Sequence, residues 1–337
     1  MDAIVLAGGF ATRLWPITRN RPKMFLPIGE TTVIDRIFQD FEDDDRIDDV
    51  YVSTNEEFED VFEEYIETSS FEKPQLSVEE AREEDEKFGV VGALGELVER
   101  EGIDSDTLVI AGDNLISFPL SDFIDTFKNN DGTTIAAYDV GNLERATQYG
   151  VIDVEGDRVV SFEEKPDDPP STLVSIACYA FPAKTLGLFD TYLSGENNPD
   201  EPGWFIQWLL DRDPVYAYSF EGAWFDIGTP DAYLDAVEWY LDGGTLVHPD
   251  ATVENSDLGQ NVHIMEGAEV IDSSLERAVV FPNARVKDCR IYSSIVDENT
   301  ELEEVNLSEA QIGAHTSLAQ SQSPPAEWVW EQNRDSE

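Results

Sequence analysis

Basic side chains cluster directly after the first apolar segment of this sequence. The segment at residues 3–7 runs into Gly8-Gly9, and the basic residues that follow are Arg13, Arg19, Arg21 and Lys23. A glycine-rich turn lets backbone N–H groups approach a phosphate, but the glycines alone fit a plain tight turn equally well. The cations favour phosphate binding, because only 21 of 337 residues are Lys or Arg and four lie within these eleven positions. The sequence therefore predicts an anion-binding loop here.

Acidic side chains follow two later apolar segments. Residues 108–111 lead into Gly112-Asp113, and Trp224-Phe225 leads into Asp226. Asp113 comes directly after a predicted strand, and an aspartate there is a common ligand of Mg²⁺, which takes a few hard oxygens together with substrate phosphates. A turn aspartate that caps the next helix is the alternative for Asp113, and core packing is the alternative for the aromatic pair.

Strands and helices alternate through the first two-thirds of the chain. Short apolar runs predict strands at residues 3–7, 50–54, 108–111, 133–140 and 173–181. Amphipathic periodicity predicts helices at residues 33–42, 56–68, 90–100 and 120–128. Repeated strand and helix units imply an α/β fold, a Rossmann-like domain with a mostly parallel sheet. Ligands of such sheets bind beyond the carboxyl ends of the strands, which is where the two clusters above stand.

The last third of the chain has a different and fixed period. Apolar residues recur every five or six positions, and three steps sum to 16 in the series Val270, Val286, Leu302 and Leu318. One short strand per five or six residues predicts a triangular parallel β-helix of about four coils. An antiparallel meander would instead show period-two alternation.

The charge of the chain excludes several classes of partner. The sequence has 72 Asp and Glu against 21 Lys and Arg, a net charge of −51. Such a surface repels nucleic acid and anionic membranes, and the spread of acids along the chain predicts a folded protein adapted to high salt, from a halophile. The N-terminus lacks the pattern of a signal peptide and no apolar run approaches ~20 residues, so we expect a cytoplasmic protein.

Six motifs together resemble the signature of the sugar-1-phosphate nucleotidylyltransferases, the glucose-1-phosphate thymidylyl- and uridylyltransferases in particular. They are Leu6-Ala-Gly-Gly-Phe-Ala-Thr-Arg-Leu14, Pro22-Lys23 with Leu26-Pro27, Ala-Gly-Asp113-Asn, Tyr149-Gly150-Val151, Glu164-Lys165-Pro166, and Trp224-Phe-Asp226-Ile-Gly-Thr-Pro230. The repeat is similar to the left-handed β-helix that several members append. The implied domains are a catalytic domain at 1–243, a β-helix at 244–320 and a polar tail at 321–337.

The resemblance implies a role for each matching residue. Arg13 and Lys23 would be the catalytic cations, and Mg²⁺ would be held by Asp113 and Asp226. The residues implied to bind the nucleotide are Leu6, Ala7, Gly8, Gly9, Thr12, Gly89 and Asp113, and those implied to bind the sugar phosphate are Gly150, Glu164, Lys165 and Trp224. Two residues depart from the family pattern, since Ala11 replaces a usual glycine and Val90 a common threonine.

The implied reaction joins a nucleoside triphosphate to a sugar 1-phosphate and releases pyrophosphate. The expected product is dTDP- or UDP-glucose; GDP-mannose is the second candidate, because Arg13-Leu-Trp-Pro16 with Thr18-Arg19 also resembles mannose-1-phosphate guanylyltransferases. The same fold could also serve a non-catalytic nucleotide-sugar-binding regulatory subunit, or carry a second, acyl-transfer activity in the β-helix. A structural or oligomerising role of the β-helix is favoured over acyl transfer, because His263 and His315 fall in no evident site.

Overall fold

The computed structural model describes residues 1–79 and 89–319, which form two compact units. The first unit comprises Met1–Leu14 and the described residues of Thr18–Tyr233. The second comprises Trp15–Ile17 and the described residues from Leu234 onward. The polar tail expected at 321–337 lies outside the described residues.

The first unit alternates strands and helices. Its strands are β1 (Asp2–Leu6), β2 (Pro27–Ile28), β3 (Thr31–Thr32), β4 (Val50–Asn55), β5 (Pro74–Glu79), β6 (Thr107–Ala111), β7 (Asn114–Ile116), β8 (Thr133–Asp139), β9 (Gly150–Glu155), β10 (Arg158–Glu164), β11 (Leu173–Phe181), β12 (Val215–Ser219) and β13 (Trp224–Asp226). The helices are α1 (Val33–Glu42), α2 (Glu59–Thr68), α3 (Val90–Glu101), α4 (Leu120–Asn129), α5 (Leu143–Ala146), α6 (Ala183–Leu186), α7 (Leu188–Leu193) and α8 (Pro202–Leu209). A further helix, α9 (Pro230–Leu241), begins in the first unit and belongs to the second from Leu234 onward.

Nine strands of the described chain form one sheet in the order β5-β4-β1-β6-β11-β8-β12-β10-β9. The predicted parallel arrangement is confirmed from β5 to β6 and for β8 with β12. Strand β11 is antiparallel to both of its neighbours, and β9 and β10 form an antiparallel hairpin. The hairpin turns at Gly156, whose φ of 69° lies in the left-handed region that glycine adopts without strain.

Helices pack on both faces of this sheet, because alternate residues of β1 belong to two different cores, Ala3 and Val5 to one and Ile4 to the other. Helix α1 occupies residues 33–42 as expected and buries the apolar face formed by Val33, Ile34, Ile37, Phe38 and Phe41. Its start is a capping box in which Thr32 and Asp35 bond to each other's backbone N–H. Helix α2 begins three residues later than predicted, because the Asn55 side chain accepts the N–H groups of Glu57 and Phe58 in a local turn.

The second unit is built from stacked short strands that pair in parallel. They are β14 (Thr245–Val247), β15 (Thr252–Glu254), β16 (Asp257–Leu258), β17 (Val262–Ile264), β18 (Glu269–Ile271), β19 (Ser274–Val280), β20 (Arg285–Lys287), β21 (Arg290–Val296), β22 (Glu301–Glu303), β23 (Asn306–Ser308), β24 (Gln311–Ile312) and β25 (Ser317–Ala319). The predicted 16-residue series is in register, because Val270 pairs with Val286, Val286 with Leu302, and Leu302 with Leu318. This confirms a parallel β-helix.

The corners of the β-helix repeat with the same period. Residues with positive φ recur 16 positions apart at each corner: Asp272, Asp288 and Glu304 at one, Asn283, Asn299 and His315 at another, and Asn261, Arg277, Ser293 and Glu309 at the third. Asn and Asp tolerate this left-handed conformation better than other side chains except glycine. In the described parts of the chain, no helix is long and apolar enough to cross a bilayer.

Candidate active site

The ends of β1 and β6 place the glycine turn beside Asp113. The Gly112 N–H donates to the Leu6 carbonyl at 2.9 Å, so the two strand ends touch. A Cβ atom on Gly112 would lie 3.1 Å from the Val5 side chain and 3.2 Å from the Met24 side chain. Glycine at 112 is therefore what allows this approach and brings the Asp113 carboxylate to the same edge as Gly8 and Gly9.

Lys23 forms an ion pair with Asp113 at the centre of the site. Lys23 opens a short 3₁₀ turn directly after Pro22, and the exposed fractions of the two side chains are 15% and 12%. Burial lowers the pKa of Lys23, but the Asp113 charge and hydrogen bond, with the charge of Asp226, outweigh it and raise the pKa above its usual value. Lys23 is thus a fixed cation that the loop holds in position.

Asp226 reaches the same point through a two-stranded ribbon. Strands β7 and β13 pair antiparallel with Asp226 opposite Asn114, and the Ile227 N–H donates to the Asp113 carbonyl at 3.1 Å. Burial, and then the neighbouring charge of Asp113, raises the pKa of Asp226 to about 6. Two crowded carboxylates of this kind provide the hard oxygen ligands that a divalent cation takes.

The carboxylate pair fits a cation that is shared with substrate. Among residues 1–79 and 89–319, no three His, Cys, Asp or Glu side chains gather into a cluster able to hold a metal. Mg²⁺ is commonly held by one or two carboxylates, with waters and substrate phosphates as the other ligands. Asp113 and Asp226 match that requirement.

Arg13 lies near Asp226 although it is exposed to solvent. Its Nη2 atom is 2.9 Å from the position that a Cβ on Gly228 would take, and its charge lowers the pKa of Asp226. The preceding turn contains Ala11 at a φ of 48°, held by the Thr18 hydroxyl, which donates to the Ala11 carbonyl at 2.9 Å. The turn thus accepts a methyl group where the family pattern has glycine.

A first cavity of about 440 Å³ opens beside the glycine turn. It is lined by six of the residues singled out for nucleotide binding or catalysis, namely Leu6, Gly8, Gly9, Lys23, Gly89 and Asp113. Gly89 has a φ of 76°, and a Cβ there would overlap the Pro199 carbonyl. Ala7 is buried in the sheet edge, where its N–H donates to the Ser53 carbonyl at 2.7 Å, and Thr12 is exposed on a 3₁₀ turn; neither lines this cavity.

A second cavity of about 220 Å³ adjoins the first, because Asp113 lines both. It brings together the residues singled out for the sugar phosphate, Gly150, Glu164, Lys165 and Trp224, with both aspartates. The Trp224 ring is buried, and its Nε1–H donates to Asn114 Oδ1 at 3.1 Å. The ring also packs edge-on against Tyr149 with centroids 4.9 Å apart, which makes it a rigid wall.

Glu164 occupies a slot that two glycines create. A Cβ on Gly203 would overlap Glu164 Oε2, and one on Gly150 would lie 3.0 Å from it. Burial, and then the charge of Glu201, raises the pKa of Glu164 to about 7. Glu201 also forms an ion pair with Lys165. Sequence reasoning missed Gly203 and Glu201, which stand at the start of α8 with no local motif to mark them.

A known protein family matches the greater part of this chain. The family model described as nucleotidyl transferase matches residues 2–243. The chain is 26% identical over 277 residues to the bifunctional protein GlmU of Methanococcus aeolicus, covering 82% of this chain and 61% of GlmU. It is 26% identical over 288 residues to a protein of Sulfolobus acidocaldarius described as a mannose-1-phosphate guanyltransferase. That alignment covers 81% of this chain and 75% of the relative. The chain thus spans about three fifths of the length of the GlmU protein.

A solved structure has the same fold. It is described as a glucose-1-phosphate thymidylyltransferase from Bacillus anthracis, and it aligns with a TM-score of 0.59 at 24% identity. The alignment covers 70% of this chain and 94% of that one.

Proposed function

Because this chain belongs to the nucleotidyl transferase family, we propose that it transfers a nucleotidyl group from a nucleoside triphosphate to a sugar 1-phosphate. The products are a nucleoside diphosphate sugar and pyrophosphate. The observation that carries this proposal is the junction of the two cavities at Asp113, where Lys23 and Asp226 also lie. One cavity provides room for a nucleotide, the other for a sugar, and the charged cluster lies where their phosphates meet.

The reaction needs no side-chain nucleophile. An oxygen of the sugar phosphate, already anionic, forms the new bond to the α-phosphorus, while the bond from that phosphorus to the β-phosphate oxygen breaks and pyrophosphate leaves with the electron pair. The obstacles are the repulsion between two polyanions and the charge that develops on pyrophosphate. Positioning and cations overcome such obstacles in phosphoryl chemistry.

Lys23 and Arg13 neutralise different phosphate groups, because they lie at different positions in the site. Lys23, fixed by Asp113, faces the first cavity and neutralises the α-phosphate and the incoming sugar phosphate. Arg13 is exposed to solvent beside Gly228 and close enough to Asp226 to act on its charge, and from there it stabilises the departing pyrophosphate. Asp113 and Asp226 would hold the divalent metal ion, which supplies further neutralisation and orientation of the phosphates.

The second cavity recognises the sugar. Its carboxylate, Glu164, is placed by Gly150 and Gly203 to accept hydrogen bonds from sugar hydroxyl groups. Lys165 supplies a cation for the sugar phosphate; its backbone N–H is bonded to the Tyr149 carbonyl at 3.1 Å and its φ is 47°. Trp224 closes the wall of the cavity.

The test is pyrophosphate release from each pairing of GTP, ATP, CTP, UTP and dTTP with glucose, N-acetylglucosamine and mannose 1-phosphates in molar KCl. We expect product with at least one pairing. Arg13→Ala and Asp226→Asn should each lower the rate by about 10²–10³, the usual cost of losing one electrostatic stabiliser, with an unchanged circular dichroism spectrum. Wild-type turnover in either variant would refute the assigned roles, and release from no pairing would favour a nucleotide-sugar-binding protein without catalysis.

A further inference from the structure

The first cavity contains a carboxylate that the transfer reaction does not use. Glu79, the last residue of β5, lines this cavity together with Gly8 and Gly89. Its Oε1 atom lies 3.2 Å from the position that a Cβ on Gly8 would take. The Ser53 hydroxyl donates to the same oxygen at 2.5 Å and holds the carboxylate in place.

The sheet order assigns Glu79 to the nucleoside end of the cavity. In the order β5-β4-β1-β6, the glycine turn after β1 lies between Glu79 on one side and Asp113 on the other. The Lys23 side chain is 3.9 Å from a Cβ position on Gly9, on the Asp113 side of the turn. A triphosphate is drawn to the cation and repelled by the carboxylate, so the base or ribose of the bound nucleotide faces Glu79.

We propose that Glu79 selects guanine as the base, an inference that rests on the proposed nucleotidyl transfer. A carboxylate only accepts hydrogen bonds, and it pairs best with two parallel N–H donors. Guanine presents such a pair, N1–H and the 2-amino group, on one edge. Uracil and thymine present a single N–H between two carbonyl oxygens, which a carboxylate repels, and adenine and cytosine present an amino group beside a ring acceptor.

The surroundings of Glu79 fit this role. Ser53 occupies one of the roughly four lone-pair positions of the carboxylate, which leaves enough acceptors for two N–H groups. The nearby Asn55 side chain donates to the Gly8 carbonyl at 3.0 Å, so it braces the turn. This carboxylate favours guanylyl transfer over the dTDP- or UDP-glucose synthesis expected from the motifs.

A rival explanation is that Glu79 binds the ribose hydroxyls, which also donate hydrogen bonds. That role would be independent of the base and sensitive to loss of the 2′-hydroxyl. The two explanations therefore separate when the base and the ribose are varied independently.

The experiment measures kcat/KM for pyrophosphate release with GTP, dGTP, inosine triphosphate and UTP at saturating sugar 1-phosphate. The wild-type protein should prefer GTP to UTP, and it should lose about 5- to 150-fold with inosine triphosphate, which lacks the 2-amino group, because a bidentate base contact discriminates by that much. This comparison needs no variant. dGTP should perform nearly as well as GTP.

The variant Glu79→Gln should lower the GTP to UTP ratio at least about ten-fold, since an amide both donates and accepts and so suits uracil. The exposed Glu155→Gln is the matched control and should leave the ratio unchanged. Three results would overturn the inference while the transfer activity stands. The wild-type protein could prefer UTP to GTP, or it could lose kcat/KM with dGTP but not with inosine triphosphate. The third such result is an equal fall of kcat/KM for every nucleotide in Glu79→Gln. If none of the nucleotides gives pyrophosphate, the proposed function is overturned and this inference with it.

Discussion

Replacing Lys23 with methionine removes the central cation while keeping most of the volume of the side chain. Lys23 and Asp113 have exposed side-chain fractions of only 15% and 12%, so solvent screens their charges weakly. At a separation of 4 Å and an effective dielectric constant of 20, a unit charge pair is worth about 4 kcal/mol. Since 1.36 kcal/mol is a factor of ten, we expect Lys23→Met to lower the single-turnover rate by about 10²–10³.

Loss of Lys23 also leaves two acidic groups without their cation, so a structural effect must be separated from a catalytic one. Removing one partner of a buried pair costs about 3–5 kcal/mol of stability, which thermal unfolding would report. The double variant Lys23→Met/Asp113→Asn removes both charges and should regain much of the stability but none of the activity. Lys128→Met, which breaks the exposed ion pair with Asp106, is the matched control and should change stability by at most about 1 kcal/mol and the rate not at all.

The assay is rapid-quench measurement of pyrophosphate with enzyme in excess over the labelled triphosphate. A rate for Lys23→Met within three-fold of the wild-type rate would refute the catalytic role of Lys23. Recovery of activity in the double variant would show that Lys23 serves only as a structural partner of Asp113.

Three further perturbations have defined outcomes. Gly203→Ala places a methyl group on the Glu164 carboxylate and should raise KM for the sugar 1-phosphate at least about ten-fold, with KM for the nucleotide unchanged. Gly187→Ala is the control and should change neither constant, because a Cβ there meets no atom within 4 Å beyond its chain neighbours; the same rise in KM for both variants would contradict the placement of Glu164 by Gly203. Burial lowers the pKa of His263 to about 4, below its unfolded value near 6.5, so the unfolded state binds the extra proton and the contribution of His263 to the free energy of unfolding should fall by about 3 kcal/mol as the pH drops from 6.5 to 4. Denaturant titrations at several pH values should show that His263→Leu lacks this part of the pH dependence of the free energy of unfolding. The same pH dependence in the variant and the wild-type protein would contradict the expectation. Finally, the net charge of −51 predicts a melting temperature that rises from about 0.1 M to molar KCl, where the screening length is about 3 Å; a constant melting temperature would contradict adaptation to salt.

Local periodicity accounts for what the sequence predicts well. Helix α1 and strand β11 have the predicted bounds, because an amphipathic repeat and a long apolar run specify them without reference to distant residues. The β-helix follows from a 16-residue spacing that the strand register reproduces. Its corners have a second signal of the same period, Asp272 and Asp288 at one corner and Asn283 and Asn299 at another, which the apolar series alone does not show.

Long-range pairing accounts for what the sequence does not predict. Strand β5, which carries Glu79, starts with proline and has a polar residue at every second position, and its place in the sheet depends on pairing with β4. Glu201 reaches Lys165 across 36 positions of the chain. Gly203 is recognisable as necessary only because the Glu164 carboxylate occupies the space of its missing side chain. Sequence motifs indicate which residues belong to such a site, but tertiary contacts determine the distances between them in space.

The most decisive measurement is the stoichiometry of pyrophosphate release with and without a sugar 1-phosphate. In molar KCl, with an α-labelled triphosphate that the protein accepts, we expect one pyrophosphate for each nucleoside diphosphate sugar formed, with the label in the sugar product. No pyrophosphate should form when the sugar phosphate is omitted. Release of pyrophosphate without the acceptor, or of label as the free nucleoside monophosphate, would contradict direct attack by the sugar phosphate at the junction of the two cavities.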